Sequence, residues 1–413
     1  GCPTGKAVTG PFNIFYDGTG AMKVQLTESQ QQLQLEVRDY MQGIMSDALR
    51  EEMNDPDMME GGGPEFRRQL AQMGADGWIG VSWPEDQGGR GWTPVEQYIF
   101  TDEVVRAGFP YPFLTTEAIA PVLAEHAHEA IRDATVGGIQ RGEVVIAIGY
   151  SEPSAGTDLA SLKTRAVKDG DEWVINGQKI WTSLANYADY VWLAARTDPD
   201  ESKKHKALTM FLGPTDNPAF SCTPIRTLGV RTNATYYEDI RLPDHYRVGE
   251  INGGWKLITG QLNRERLSLM THGQVHSLYE ATAAWAAEQK QGALSHIDKP
   301  WVQHNLAKVK AGLEALKVMT WKQAWAMGEG SLGMAEASVV KVYGSEFFVE
   351  LYRLLLEIMG EAGTLRAGSP GAILQGKLEH RYRVGSILTF GGGTNEVQRD
   401  IIAMAGLWMP RTR

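Results

Sequence analysis

Cysteine is scarce in this sequence: Cys2 and Cys222 are the only two among 413 residues. That scarcity excludes a disulfide framework and a cysteine-built metal cluster, and no metal site is expected. It also fits a reducing cytosol, so a cytoplasmic location is expected. Long apolar runs are missing as well. Stretches such as Tyr190–Ala195 fall far short of the ~20 residues that cross a bilayer, and nothing has the pattern of a signal peptide, so no membrane partner is expected. Basic charge is in deficit. A formal net charge of -10 argues against broad nucleic-acid binding, although a local cluster of donors in an acidic protein can still hold an anionic ligand. What remains, 43% hydrophobic and 22% charged residues, suffices for a full core, and the length suggests two or three structural units.

Helical signals fill the first third. Thr27 with Gln30 three residues on makes a capping box, and Leu33, Val37, Met41, Ile44 and Ala48 then recur at helical spacing. Phe66–Met73 and Val95–Ala107 continue the pattern, separated by the Gly/Pro-rich loops Gly61–Pro64 and Trp83–Gly91. Gly1–Ala21, rich in glycine and turn formers and preceding Met22, reads equally as an extension outside the fold, non-native or disordered, and as its beginning. After about Glu143 the character changes. Thr164–Lys168, Asp169-Gly170, Asp171–Ile175, Asn176-Gly177 and Lys179–Ser183 spell strand, turn, strand, turn, strand, with two strong hairpin dipeptides. Tyr190–Arg196, Ala207–Leu212 and Tyr236–Arg241 are further strand-like pieces, and together they predict a small antiparallel domain. Helical spacing returns at Gly254. Val302, Leu306, Val309, Leu313 and Leu316 form a long apolar stripe just after Pro300, a residue suited to a first helical turn. Gly360–Gly376 reads as a loop, and there is no internal repeat. The expected plan is therefore α+β: helical over 22–145, β over 146–253, and helical again over 254–413.

Two segments carry the chemistry. In Ile148-Gly149-Tyr150-Ser151-Glu152-Pro153-Ser154-Ala155-Gly156-Thr157-Asp158, small residues expose backbone amides beside the Ser151 and Thr157 hydroxyls, a set that can grip a polar heteroaromatic ring. A capped turn accounts for the same composition. In Asn176-Gly177-Gln178-Lys179-Ile180-Trp181-Thr182-Ser183, Trp181 can stack on a flat cofactor while Thr182 or Ser183 bonds its edge, but a Trp at a strand centre is also ordinary core.

The two segments lie only about twenty residues apart, and together they resemble the acyl-CoA dehydrogenase family. In that family a Ser/Thr-Glu-Pro-x-Ala-Gly-Ser/Thr-Asp loop and a Lys-x-Trp-x-Thr/Ser strand hold a flavin ring. The resemblance extends to Gly393-Thr394-Asn395-Glu396-Val397-Gln398-Arg399 and to nearly the whole chain from Met22. It implies an N-terminal helical domain, a middle antiparallel β domain and a C-terminal four-helix bundle, with FAD as cofactor. A base removes the α-proton of an acyl-CoA thioester, the β-hydrogen leaves as hydride to the flavin, and the product is a trans-2-enoyl-CoA. Electrons then pass to an acceptor such as electron-transferring flavoprotein. The implied cofactor contacts are Tyr150, Ser151, Gly156, Thr157, Trp181, Thr182, Ser183, Thr394 and Glu396. The implied substrate contacts are Thr157, Asn263, Arg266, Gly392 and Gly393, and a backbone N–H at the position of Gly392 faces the thioester carbonyl.

The usual members carry their base two residues before the Thr of Gly-Thr-x-x-x-Gln-Arg, and here that position is Gly392, which has no side chain. Glu396 falls where the family contacts the flavin and is a poor substitute. The segment Gly260-Gln261-Leu262-Asn263-Arg264-Glu265-Arg266-Leu267 resembles the long-chain and isovaleryl-type enzymes, whose base comes from an adjacent helix, and Glu265 matches that base. A surface carboxylate flanked by Arg264 and Arg266 is the plain alternative. A second departure concerns partners. The family's Arg-x-x-Phe-Gly, lent to a neighbouring subunit's flavin, is replaced by Glu288–His296, and its Gln-x-x-Gly-Gly by Glu357-Ile358-Met359-Gly360-Glu361, whose two carboxylates would repel a diphosphate. These departures resemble the actinobacterial steroid side-chain acyl-CoA dehydrogenases, built from two different subunits. The implied partner is a second, different dehydrogenase-like subunit that completes the flavin site, and the implied substrate is a bulky sterol or bile-acid side-chain CoA thioester. A supporting subunit without catalysis, a weakly flavin-binding homomer, an enzyme for ordinary fatty acyl-CoA and an oxygen-using relative of the same fold are the alternatives.

Overall fold

The computed structural model describes residues 12–16, 22–55 and 57–410, apart from the side chains of 14–16, 22, 23, 263–269, 274 and 291. The chain forms two compact units, one of Gly1–Met45, Trp92–Phe109 and Leu267–Arg413, the other of Ser46–Gly91 and Pro110–Arg266.

In the first unit, strand β1 (Asn13–Tyr16) pairs antiparallel with β2 (Met22–Gln25), so part of the N-terminal extension is folded. The helix Glu28–Ile44 opens on the expected capping box: the Gln30 amide donates to Thr27 Oγ1 at 3.3 Å and the Thr27 amide to Gln30 Oε1 at 2.9 Å. Ala48 is not on this helix. Ser46 caps a new one, Asp47–Glu52, through the Leu49 amide. The helix Pro94–Ala107 has a second capping box, Thr93 with Glu96, and carries charge into the core. Its Glu103, 2% exposed, holds the Arg38 guanidinium in a two-pronged contact at 2.8 and 2.6 Å, and its Asp102 accepts the His272 and Gly273 amides at 2.9 and 2.8 Å.

The stripe Val302, Leu306, Val309, Leu313 and Leu316 is buried on the long helix Pro300–Gly328, with Pro300 in its first turn. It packs with Leu351, Leu355 and Ile358 of Met334–Met359 and Val275 and Leu278 of Gly273–Glu288. The fourth helix against this group, Pro94–Ala107, comes from the N-terminal third of the chain.

The second unit is built on a sheet of eight strands: β3 (Ile146–Gly149), β4 (Arg165–Asp169), β5 (Glu172–Lys179), β6 (Tyr190–Arg196), β7 (Leu208–Pro214), β8 (Phe220–Arg226), β9 (Arg231–Pro243) and β10 (Arg247–Val248). Their order is β10-β7-β6-β4-β5-β9-β8, and β3 runs parallel to β6. The sheet is therefore mixed rather than wholly antiparallel. Asn176-Gly177, expected as a hairpin turn, is a bulge inside β5 where its register against β9 shifts. Two local contacts explain this. The Asn176 amide group exchanges hydrogen bonds with Asp239 at 2.9 and 3.0 Å, and a Cβ at Gly177 would stand 2.4 Å from Thr164 Oγ1, so only glycine fits. The expected strand Lys179–Ser183 ends at Lys179, because Trp181 and Leu184 take left-handed φ values of 63° and 68°. Pro224 lies in β8, at the end of the strand order where a missing amide is tolerated.

Leu313 is 1% exposed. Leu313→Ala is expected to cost about 2–5 kcal/mol of stability through the cavity it leaves, read from the midpoint of chemical denaturation.

Candidate active site

In the second unit the two sequence segments meet through a buried ion pair. Lys179 Nζ lies 2.9 Å from Glu152 Oε1, with side-chain exposures of 0% and 5%. The Glu152 carboxylate also accepts the amides of Lys163 at 2.6 Å and Thr164 at 2.8 Å, and Lys179 donates further to the Tyr150 carbonyl at 3.1 Å. Ile180 N donates to the Ser151 carbonyl at 2.8 Å, which completes the splice between loop and strand end. Burial acts to raise the Glu152 carboxyl, but Lys179 and the two amides together hold it below the ordinary carboxylate range. Burial also pulls Lys179 down, against the pull of Glu152. Neither residue was assigned a role from sequence, although both lie inside the motifs.

The pair holds a tight turn, Glu152 and Ala155 exchanging backbone hydrogen bonds at 2.9 and 3.1 Å, and beyond it Gly156, Thr157 and Asp158 are exposed. Ser151 is half-buried. Trp181 is not strand core: its left-handed backbone sits in a loop and the side chain is 55% exposed. Ser183 is exposed too, whereas Thr182 between them is 0% exposed, its hydroxyl 3.3 Å from Thr235 Oγ1 and its amide donating to the Asn233 carbonyl. The Thr182 hydroxyl is thus enclosed within the sheet, whereas Trp181 and Ser183, the latter with its hydroxyl 3.3 Å from Thr232 Oγ1, are the groups of this segment exposed toward a ligand. Tyr150 OH accepts from Trp192 Nε1 and donates to Gln261 Oε1, both at 2.9 Å.

Gln261 belongs to the helix Gly254–Leu269, and the backbone of Asn263, Glu265 and Arg266 is helical with it. The side chains of these three lie outside the described residues.

Gly392, Gly393, Thr394 and Glu396 belong to the first unit. Gly392 and Gly393 have φ of 68° and 96°, and a Cβ at Gly393 would lie 2.7 Å from Gln398 Nε2. A side chain at Gly392 would adopt the left-handed region at a cost of roughly 1–2 kcal/mol. Thr394 caps the helix Asn395–Ile401 by accepting the Val397 amide at 3.3 Å. The exposed Glu396 carboxyl is held below its usual range by its own amide and the Thr394 hydroxyl, which suits an anion more than a base. Buried Lys341, unforeseen from sequence, fixes this turn: Nζ donates to the Gly393 carbonyl and to Asn395 Oδ1, both at 2.7 Å. Burial lowers its pKa to about 8.

Glu357 is already paired, with the Arg353 guanidinium and with Asn305 Nδ2 at 3.0 Å, so one of the two carboxylates expected to repel a diphosphate carries a local countercharge. Within Glu288–His296, Lys290–Gln291 and Leu294–Ser295 form a short hairpin. Among the described residues no cluster of His, Cys, Asp and Glu could hold a metal ion, and no helix is long and apolar enough to cross a membrane.

Lys179→Met strands a buried carboxylate and is expected to cost about 3–5 kcal/mol. Lys179→Met with Glu152→Gln should recover much of that loss, as read by a double-mutant cycle in thermal denaturation.

The sequence patterns of the acyl-CoA dehydrogenase N-terminal, middle and C-terminal domains match residues 27–143, 147–240 and 252–407. Acyl-CoA dehydrogenase FadE26 of Mycobacterium tuberculosis is 46% identical over 397 residues, covering 94% of this chain and 99% of that protein. The ChsE4-ChsE5 complex from Mycobacterium tuberculosis contains a chain that superposes with a TM-score of 0.88 at 46% identity, covering 95% of this chain and 100% of that one. The Tcur3481-Tcur3483 steroid ACAD gives 0.88 at 45%, covering 94% and 99%. With a matching pattern over each third and a loop-strand splice built from the motif residues, this chain belongs to the acyl-CoA dehydrogenase family of oxidoreductases.

Proposed function

We propose that the protein dehydrogenates an acyl-CoA thioester to the trans-2-enoyl-CoA with FAD, that Glu265 is its base, and that it works as one subunit of a heteromer. The observation that carries this reading is Gly392: in a left-handed turn and without a side chain, it can offer only a backbone amide. The proton acceptor must then come from elsewhere, and Glu265 is the carboxylate that the family resemblance puts forward.

The residues fit a flavin. Exposing 55% of a tryptophan in a left-handed loop is unfavourable unless something covers it, and Trp181 has the exposed Ser183 for a neighbour. Gly156 and Thr157 offer amides and a hydroxyl at an exposed turn. When bound, FAD supplies the acceptor for the β-hydrogen. The chain's own work is to stack Trp181 on the ring and bond its edge through Ser151, Thr157 and Ser183. Glu265 takes the α-proton onto its carboxylate, and Asn263 and Arg266 line the CoA. Thr182 contributes by anchoring the segment through Thr235 and Asn233.

Two observations support a different partner chain. Glu288–His296 lacks the Arg and Phe that the family lends to a neighbour's flavin, and the two similar solved structures, ChsE4-ChsE5 and Tcur3481-Tcur3483, each pair two differently named chains. One of those structures is a steroid ACAD, which supports a sterol or bile-acid side-chain CoA thioester as substrate here. Electron-transferring flavoprotein is the proposed acceptor.

Co-expression with a second dehydrogenase-like subunit should give flavin loading and acyl-CoA-dependent bleaching that this chain alone lacks. Equal flavin content and bleaching in the lone chain would overturn the heteromer. In the loaded complex Glu265→Gln should reduce turnover by about 10²–10⁴-fold with flavin retained. Near-normal turnover would remove Glu265 from the chemistry. A steroid side-chain CoA should exceed a straight fatty acyl-CoA in kcat/KM.

A further inference from the structure

The half-buried Tyr150 side chain takes part in a chain of hydrogen bonds that joins two buried residues. An indole N–H can only donate, so Trp192 Nε1 gives its proton to Tyr150 OH at 2.9 Å, and the phenol proton goes to Gln261 Oε1 at 2.9 Å. Trp192 and Gln261 are both 0% exposed. At its sheet end the chain is fixed twice. Trp192 lies within β6, in register with Ile148 of β3, and the Tyr150 carbonyl accepts from Lys179 Nζ at 3.1 Å. At its other end is the helix Gly254–Leu269, in which Gln261 and Glu265 are four residues apart. Residues at that spacing share a helix face, separated by a rise of about 6 Å.

Two apolar residues of the same helix, Leu257 and Ile258, are also buried. Hydrophobic contact is non-directional, so it sets how deep a helix sits but resists rotation about its axis poorly. A hydrogen bond is directional and, where one partner is fully buried as Gln261 is, expensive to break, so it sets rotation well. We propose that Tyr150 and Gln261 are a positioning pair that fixes the rotation of the Glu265 helix against the flavin-binding loop, and so aims the base. This rests on Glu265 being the base. A misplacement of about 1 Å can cost on the order of 10²-fold in rate, which makes such an aiming device consequential.

The test uses the flavin-loaded complex with its partner subunit. Tyr150→Phe and, independently, Gln261→Leu should each lower kcat by roughly 10- to 10²-fold. KM should stay near its starting value in both, and flavin content in Gln261→Leu, and the limb of the pH–kcat profile that belongs to the base should move. In a Glu265→Gln background Tyr150→Phe should add no further loss, because it acts only through that carboxylate. Unchanged kcat and pH profile in either loaded variant would overturn the proposal, as would an equal loss in the Glu265→Gln background. If Tyr150→Phe does not fold, Gln261→Leu, which keeps the loop's tie to the sheet, decides the matter. Near-normal turnover of Glu265→Gln alone would reject the base itself, an outcome distinct from failure of the pair.

Discussion

The ion pair between Glu152 and Lys179 is the constraint from which the rest of the candidate site is hung. Two charges held at 0% and 5% exposure are tolerable only because every oxygen and the ammonium find donors or acceptors, and those partners are backbone groups of the first motif and of the segment that follows it. The amides of Lys163 and Thr164, the carbonyl of Tyr150 and the turn from Glu152 to Ala155 are drawn to one point. The exposed groups, Gly156 to Asp158 on one side and Trp181 with Ser183 on the other, stand where they do because their neighbours are pinned. A flat ligand placed there would meet a surface that has little to reorganise on binding.

The first unit solves a parallel problem with different chemistry. Lys341 is buried and bonds a carbonyl and an amide oxygen rather than a carboxylate, and so it holds the Gly393–Asn395 turn without pairing its charge at close range. Glu346 and Glu396 are the acidic groups that favour its charged form at a distance. Further along the same helix, Arg353 is shared between Glu350 and Glu357, so one guanidinium offsets part of the negative charge at that end.

Much of this was legible in the residues. The capping box at Thr27, the apolar stripe from Val302 to Leu316, the strand Tyr190–Arg196 and the two-motif resemblance all survive in the folded chain, because each is a local pattern with a local cause. What escaped was decided by partners distant in sequence. Asn176-Gly177 has the composition of a turn, but Asp239 and Thr164 claim it for a bulge. Trp181 looks like strand core until its φ is known, and Thr182 looks available until Thr235 is seen behind it. The Tyr150 hydroxyl finds Trp192 and Gln261, and Lys341 finds Gly393; no spacing rule links such pairs. Ala48 fell to a nearer competitor, Ser46, which starts a helix of its own.

The backbone at Gly392 is left-handed, with a φ of 68°. A carboxylate can be put there by changing one residue, but that residue would inherit a conformation which resists any side chain, and the Lys341 clamp on the next carbonyl opposes relaxation of the turn. The turn around Gly392 thus discourages a side chain through its backbone conformation, and the clamp on the neighbouring carbonyl holds that conformation in place.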